Sequence, residues 1–217
     1  MCVNDVITCG AKPLYFLDYV STTQIRQSLL YQLILGIVDG CISSGCALIG
    51  GETAEHPVKF GMVSDEDLSG FCTGIIEKNE IIDGSLINEL LFRHKLFISN
   101  TPELLIPTRI YASVVSKLIE EVPVLGMSHI TGGGIPENLP RCLPEGLTAN
   151  VDYDSWEVPY IFNKIMFDGE ISLDEMRRVY NMGIGYCIIV PEECVDISME
   201  IIKFMNIDSW VIGEVTK

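Results

Sequence analysis

Residues 172–215, SLDEMRRVYNMGIGYCIIVPEECVDISMEIIKFMNIDSWVIGEV, decide the fold class, because segments of different character follow one another within them. SLDEMRRVYNMG opens on Ser172, a residue type that caps a helix, and predicts a short helix. YCIIVP is a brief unbroken apolar run and predicts a strand, CVDISMEIIKFMN predicts a second helix, and SWVIGEV a final strand. Helices and strands alternate, so the class is α/β or α+β.

The same alternation extends upstream. SHITGGGIPENLPRCLP (128–144) sets three glycines before a helix start marked by Pro136. ELLIPTRIYASVVSKLIEEV (103–122) is a proline-interrupted lead into a helix with Ile110, Val114, Val115, Leu118 and Ile119 on one side. EKNEIIDGS (77–85) is polar and turn-rich, and a domain boundary there divides the chain into 1–78 and 79–217. Before it, FCTGIIEK (71–78) and ALIGG (47–51) read as strands. Leu29, Leu33, Ile34, Ile37, Val38 and Cys41 share the apolar face of a helix that starts near Ser28 and ends near Gly40 or Gly45. CVNDVITCGAKPLYFLDYVS (2–21) alternates apolar and polar residues around a GAKP turn, predicting strand, loop, strand. A buried-looking strand at the second residue predicts a sheet with partners upstream.

Composition narrows the function. The chain has 217 residues, 48% hydrophobic, with mean hydropathy +0.32, enough for a substantial core. Its net charge of -16 repels a phosphate backbone and excludes nucleic acid as the expected partner. SLLYQLILGIV (28–38) and YCIIV (186–190) fall well short of the roughly 20 apolar residues of a membrane span. The N-terminus lacks a basic start followed by an apolar stretch, and the eight cysteines show no CxxC spacing; both fit a cytoplasmic protein with reduced thiols. Met176, Met182, Met199 and Met205 read as core filler, His94 as structural and His56 as a surface residue.

Three constellations carry possible chemistry. Asn4 and Asp5 precede a glycine turn, where a carboxylate holds Mg²⁺ through one oxygen while the metal bridges nucleotide phosphates; alternatively both residues only stabilise the turn. Gly50 and Gly51 let a ligand approach the backbone, Glu52 offers a second oxygen to the same cation, and Thr53 follows; alternatively this is a plain turn. Gly132, Gly133 and Gly134 before a helix form a nest of N–H groups for an anion, with His129 and Thr131 at its rim; alternatively it is a tight turn beside a buried histidine. Asp67 merits attention as the acid just before the strand GFCTGII.

In this order, MCVNDV with GAKPLYFLDY, GCALIGGETAEHP, DLSGFCTGIIEK, LLIPTRIY, HITGGGIPENLPRCLPEG and NMGIGYCIIV span nearly the whole chain. They resemble the aminoimidazole ribonucleotide synthetase family, the phosphoribosylformylglycinamidine cyclo-ligases. The resemblance implies two α/β domains with the active site between them, the first forming a homodimer through its sheet. It implies ATP-dependent closure of the imidazole ring of a small ribonucleotide, with Asp5 and Glu52 on Mg²⁺ and Asn4, Gly50, Gly51, Glu52 and Thr53 at the nucleotide. His129 would act at the reacting oxygen or a phosphate beside Asp5, and Asp67, Thr131, Gly132, Gly133, Gly134 and Asn138 at the substrate. Against the family pattern the chain is shorter before MCVND and between IIDGS and ELLIPTRIY. That shortening leaves a second reading, a catalytically silent relative that binds nucleotide or a partner on the same scaffold.

Overall fold

The computed structural model describes residues 1–56, 66–84, 94–97 and 107–217. The first part contains α1 (Cys2–Val6), β1 (Lys12–Thr22), α2 (Gln27–Ser44), β2 (Ala47–Glu55) and β3 (Glu66–Ile75). Then follow β4 (His94–Phe97), α3 (Ala112–Glu121), β5 (Gly126–His129), α4 (Gly134–Asn138), β6 (Thr148–Val151) and α5 (Tyr160–Asp168). The chain closes with α6 (Leu173–Val179), β7 (Tyr186–Pro191), α7 (Val195–Phe204) and β8 (Gly213–Thr216). The two-domain α+β architecture is therefore the expected one. No helix among the described residues is long and apolar enough to cross a membrane.

In the first sheet, ordered β2-β1-β3, β1 runs parallel to β2 and antiparallel to β3. Side chains alternate across it, so register assigns every residue to a face. Phe16, Asp18, Gly51, Gly70 and Cys72 lie on the face that α1 and α2 cover, whereas Leu17, Tyr19, Glu52, Ser69 and Phe71 lie on the other. The second sheet, β5-β7-β4-β8-β6, is antiparallel throughout. Every residue of β7 is buried, and its sides alternate between two cores. Tyr186, Ile188 and Val190 face the core that contains Val115, Leu118 and Ile202; Cys187 and Ile189 face the one built on Ile135, Leu139 and Trp156. A strand buried on both faces loses the polar half of the alternation, which is why YCIIVP reads as continuous apolar sequence.

The first of these cores also contains Val3, Ile7, Cys41 and Cys46, so one apolar body runs from the underside of the first sheet into the second domain. The expected face of α2 is the inward one, with Cys41 buried and Leu29, Leu33, Ile34, Ile37 and Val38 half-buried. Ser172 caps α6 as expected, its Oγ accepting from the Glu175 N–H.

Several expectations are corrected. CVNDV is a helix, because Val3 and Ile7, four residues apart, share a helical face and reach one core. Gly74 of β3 leaves the space that Val6 occupies and Gly70 the space of the Phe16 ring, with Cys2 beside it, letting this short helix lie close on the sheet. The strand from Ala47 passes through its glycine pair to Glu55, since β1 pairs with it all the way; a side chain at Gly51 would overlap the Asp18 carboxylate. β3 begins at Glu66, before FCTGII, and β8 begins only at Gly213. Most of LINELLFRHKLFISNTP, the ELLI run and the first two residues of SDEDLS lie outside the described residues, while the backbone of His94 pairs with Pro191 and Val215.

Candidate functional site

The helix α1 carries Asn4 and Asp5 to the junction of the two domains, where β5 ends on His129. Asp5 Oδ1 and His129 Nδ1 are 2.6 Å apart, at the short end for a hydrogen bond to a carboxylate. The two partners differ sharply in environment: the His129 side chain is 2% exposed and that of Asp5 65%. Burial pushes the His129 pKa below its ordinary 6.5, and the hydrogen bond and charge of Asp5 oppose that shift without reversing it. The ring is therefore neutral near pH 7 and donates its Nδ1–H to the carboxylate. Tyr186 stands behind it at 6.2 Å between ring centres, and Tyr111 packs against Tyr186 at 5.0 Å.

Asn4 is wholly buried, and its amide is engaged by the second domain. Nδ2 donates to the Arg109 carbonyl at 2.8 Å, Oδ1 accepts from the Tyr111 N–H at 3.0 Å, and Nδ2 lies 3.5 Å from His129 Nε2. Asn4, expected at the nucleotide, thus stands behind Asp5 with no face left for a ligand. His129, expected at the reacting oxygen or a phosphate, has both ring nitrogens directed at protein groups. The outward-facing member of the set is Asp5.

The triple glycine forms a tight turn whose carbonyls are held by Asn138. Gly133 and Gly134 have φ of 99° and 57°, and a Cβ on Gly134 would overlap the Arg177 carbonyl oxygen, so the position serves close packing of α4 on α6. Asn138 Nδ2 donates to Gly134 O at 2.7 Å and Gly132 O at 3.1 Å, and reaches Thr131 O at 3.5 Å. Glu137 Oε2 lies 2.8 Å from where a Cβ on Gly133 would stand. Asn138 Nδ2 is thus engaged by carbonyl oxygens of the turn, the Glu137 carboxylate stands beside Gly133, and the Gly134 N–H donates to the Thr131 carbonyl. Thr131 and Gly132 remain at the rim, half-buried and exposed respectively.

The remaining candidates lie elsewhere. Glu52 pairs in register with Tyr19, and Asp67 with Ser21, which places both acids on the uncovered face of the first sheet, opposite to α1. Glu52 Oε1 accepts from the Thr53 N–H, and Thr53 itself points to the covered side. The expected pairing of Asp5 with Glu52 on one cation is therefore not formed within the chain. No group of three or more His, Cys, Asp or Glu gathers into a metal cage among the described residues. Asp5 alone fits Mg²⁺ in the manner of sites that take one or two carboxylates and leave the other positions to water and phosphate. Sequence reasoning missed the backbone of Arg109 and Tyr111 as partners of Asn4, because no side-chain pattern marks a peptide group.

Residues 1–76 match the family described as AIR synthase related protein, N-terminal domain, and residues 83–217 match its C-terminal domain. A Synechococcus sp. (strain CC9902) protein named phosphoribosylformylglycinamidine cyclo-ligase is 40% identical over 100% of this chain and 72% of its own length. The protein of that name from Prochlorococcus marinus (strain NATL2A) is 41% identical with the same coverage. Among solved structures, hydrogenase maturation protein HypE shares the fold at a TM-score of 0.79 and 17% identity, covering 100% of this chain and 72% of that one. HypE in complex with ATP superposes at 0.77 with 18% identity, covering 100% and 69%. With both domain profiles matched in order along one chain, and with relatives of about 40% identity spanning it, the chain belongs to the AIR synthase family.

Proposed function

We propose that the chain catalyses the ATP-dependent closure of formylglycinamidine ribonucleotide to aminoimidazole ribonucleotide in purine biosynthesis, as a cytoplasmic homodimer. The observation that carries this reading is the Asp5–His129 pair, formed between the two domains of a chain whose relatives are named cyclo-ligases. The formyl oxygen attacks the γ-phosphorus of ATP and ADP leaves; an amidine nitrogen then attacks the formyl carbon, and the oxygen departs as phosphate. Such chemistry rests on positioning and charge neutralisation. Mg²⁺ would be held by Asp5 together with phosphate oxygens, and when bound it offsets triphosphate charge. His129 keeps one oxygen of that carboxylate fixed and leaves the exposed remainder of the group available. The neutral ring adds no positive charge to compete with the cation.

The uncovered face of the first sheet supports the dimer. Phe71 is 60% exposed there and Ile49, Ile75 and Tyr19 are exposed with it, an apolar surface that a second copy would bury. The reading is tested by incubating the purified chain with ATP, Mg²⁺ and formylglycinamidine ribonucleotide. Equal amounts of aminoimidazole ribonucleotide, ADP and phosphate are expected. Turnover no greater than that of Asp5→Ala would overturn it.

A further inference from the structure

We infer that Asn4 is a positioning residue that fixes the tautomer of His129, and through it the carboxylate of Asp5, by presenting an amide N–H to Nε2. The inference deepens the cyclo-ligase reading and rests on it for the use to which Asp5 is put. The orientation of the Asn4 amide follows from its other partners. Oδ1 must face the Tyr111 N–H, which only donates, and Nδ2 must face the Arg109 carbonyl, which only accepts. A flipped amide would set donor against donor and acceptor against acceptor at full burial, losing two hydrogen bonds at once. The second hydrogen of Nδ2 is then left for His129 Nε2 at 3.5 Å, a long contact in a place closed to water.

That geometry leaves one neutral form of the ring. A proton on Nε2 would point at an N–H, whereas a lone pair on Nε2 receives one, so the proton resides on Nδ1 and is directed at Asp5 Oδ1. Asp5 could in principle select the same tautomer, but its side chain is largely in water and can exchange its partner for solvent. Asn4 cannot, because its amide is held by the backbone ahead of α3. The same two backbone bonds join α1 to the second domain, so the docking of the domains and the state of the histidine are set by one side chain. Outer partners that fix a histidine in this way typically contribute 10- to 100-fold to the function of the group they serve.

The test is the tautomer itself, read from ¹⁵N shifts of the three histidines in labelled protein at one fixed pH, with the His129 signals assigned by their loss in His129→Gln. The wild-type chain and Asp5→Ala are both expected to show a neutral ring protonated on Nδ1, because Asn4 remains in place in each. Asn4→Asp replaces the donor by an acceptor, and Nε2 is expected to gain a proton, with kcat lowered about tenfold or more. A wild-type ring protonated on Nε2, a loss of the Nδ1–H form in Asp5→Ala, or an unchanged ring in folded Asn4→Asp would each overturn the inference. The first two spectra decide the matter even where Asn4→Asp does not fold. No substrate enters the spectra, so an inactive chain with the expected spectra would refute the cyclo-ligase reading and leave the role of Asn4 standing.

Discussion

The junction of the two domains and the uncovered face of the first sheet both carry acids, yet the molecule treats them in opposite ways. At the junction, Asp5 is tied to a buried histidine, the histidine to a buried asparagine, and the asparagine to the backbone of the second domain. On the uncovered face, Glu52 and Asp67 stand among exposed apolar groups, and Glu52 Oε1 accepts from the neighbouring peptide N–H. Chemistry needs a carboxylate whose position is determined from behind, while association needs surface that is free to be covered. The first sheet divides these roles between its two sides.

The largest effect should come from the junction. Asp5→Ala is expected to lower kcat by about 10²- to 10⁴-fold in a steady-state turnover assay. It should cost about 1–3 kcal/mol in urea denaturation, because the Nδ1–H of a buried ring loses its acceptor. A variant that keeps full turnover would show that the junction is merely a structural contact. Next in size is Gly134→Ala, expected to destabilise the fold by about 2–4 kcal/mol, since the methyl group meets the Arg177 carbonyl at a positive φ. A change below 0.5 kcal/mol, within the range of roughly ±0.5 kcal/mol of ordinary surface substitutions, would remove the packing account of the glycine turn.

The uncovered face should respond differently. Phe71→Glu is expected to weaken self-association about tenfold or more in sedimentation equilibrium, with unfolding of the separated chain shifted by no more than about 0.5 kcal/mol. Unaltered association would place the dimer contact elsewhere. The smallest effect is with pH. A buried neutral His129, with its pKa below 6.5 in the folded chain, contributes stability that is present above pH 6.5 and is lost as pH falls from there toward the lowered folded value. Chemical denaturation across that window should show the decline, and His129→Gln should flatten it; an equal decline in both would assign the acid sensitivity to other groups.

How much of this was legible in the sequence depends on what kind of interaction did the work. α2, α3 and α7 are readable because apolar residues recur at the helical period, α6 because Ser172 marks its start, and the strand at Tyr186–Pro191 because burial on both faces leaves a short unbroken apolar run. CVNDV was misread because five residues do not distinguish the two periods, and the glycines at 70 and 74 that admit the helix are distant in sequence. Asp5 and His129 were both singled out, and their meeting is the part of the site that motif reasoning reached. Where the structure departs from motif reasoning there is one physical source: Asn4 carries a ligand-binding residue type, but it is buried and its amide is engaged by the backbone of the second domain, as the Asn138 amide N–H is by the carbonyls of the glycine turn. Residue type alone does not show whether a donor has already been engaged.

A double-mutant cycle in kcat on Asp5→Ala and His129→Gln tests most directly whether the two domains act through this one contact. If the histidine works only by holding the carboxylate, the double variant should be no slower than Asp5→Ala alone, and the coupling energy should approach the whole effect of His129→Gln. Effects that multiply independently would contradict the account, for then the buried ring and the exposed acid would serve separate ends.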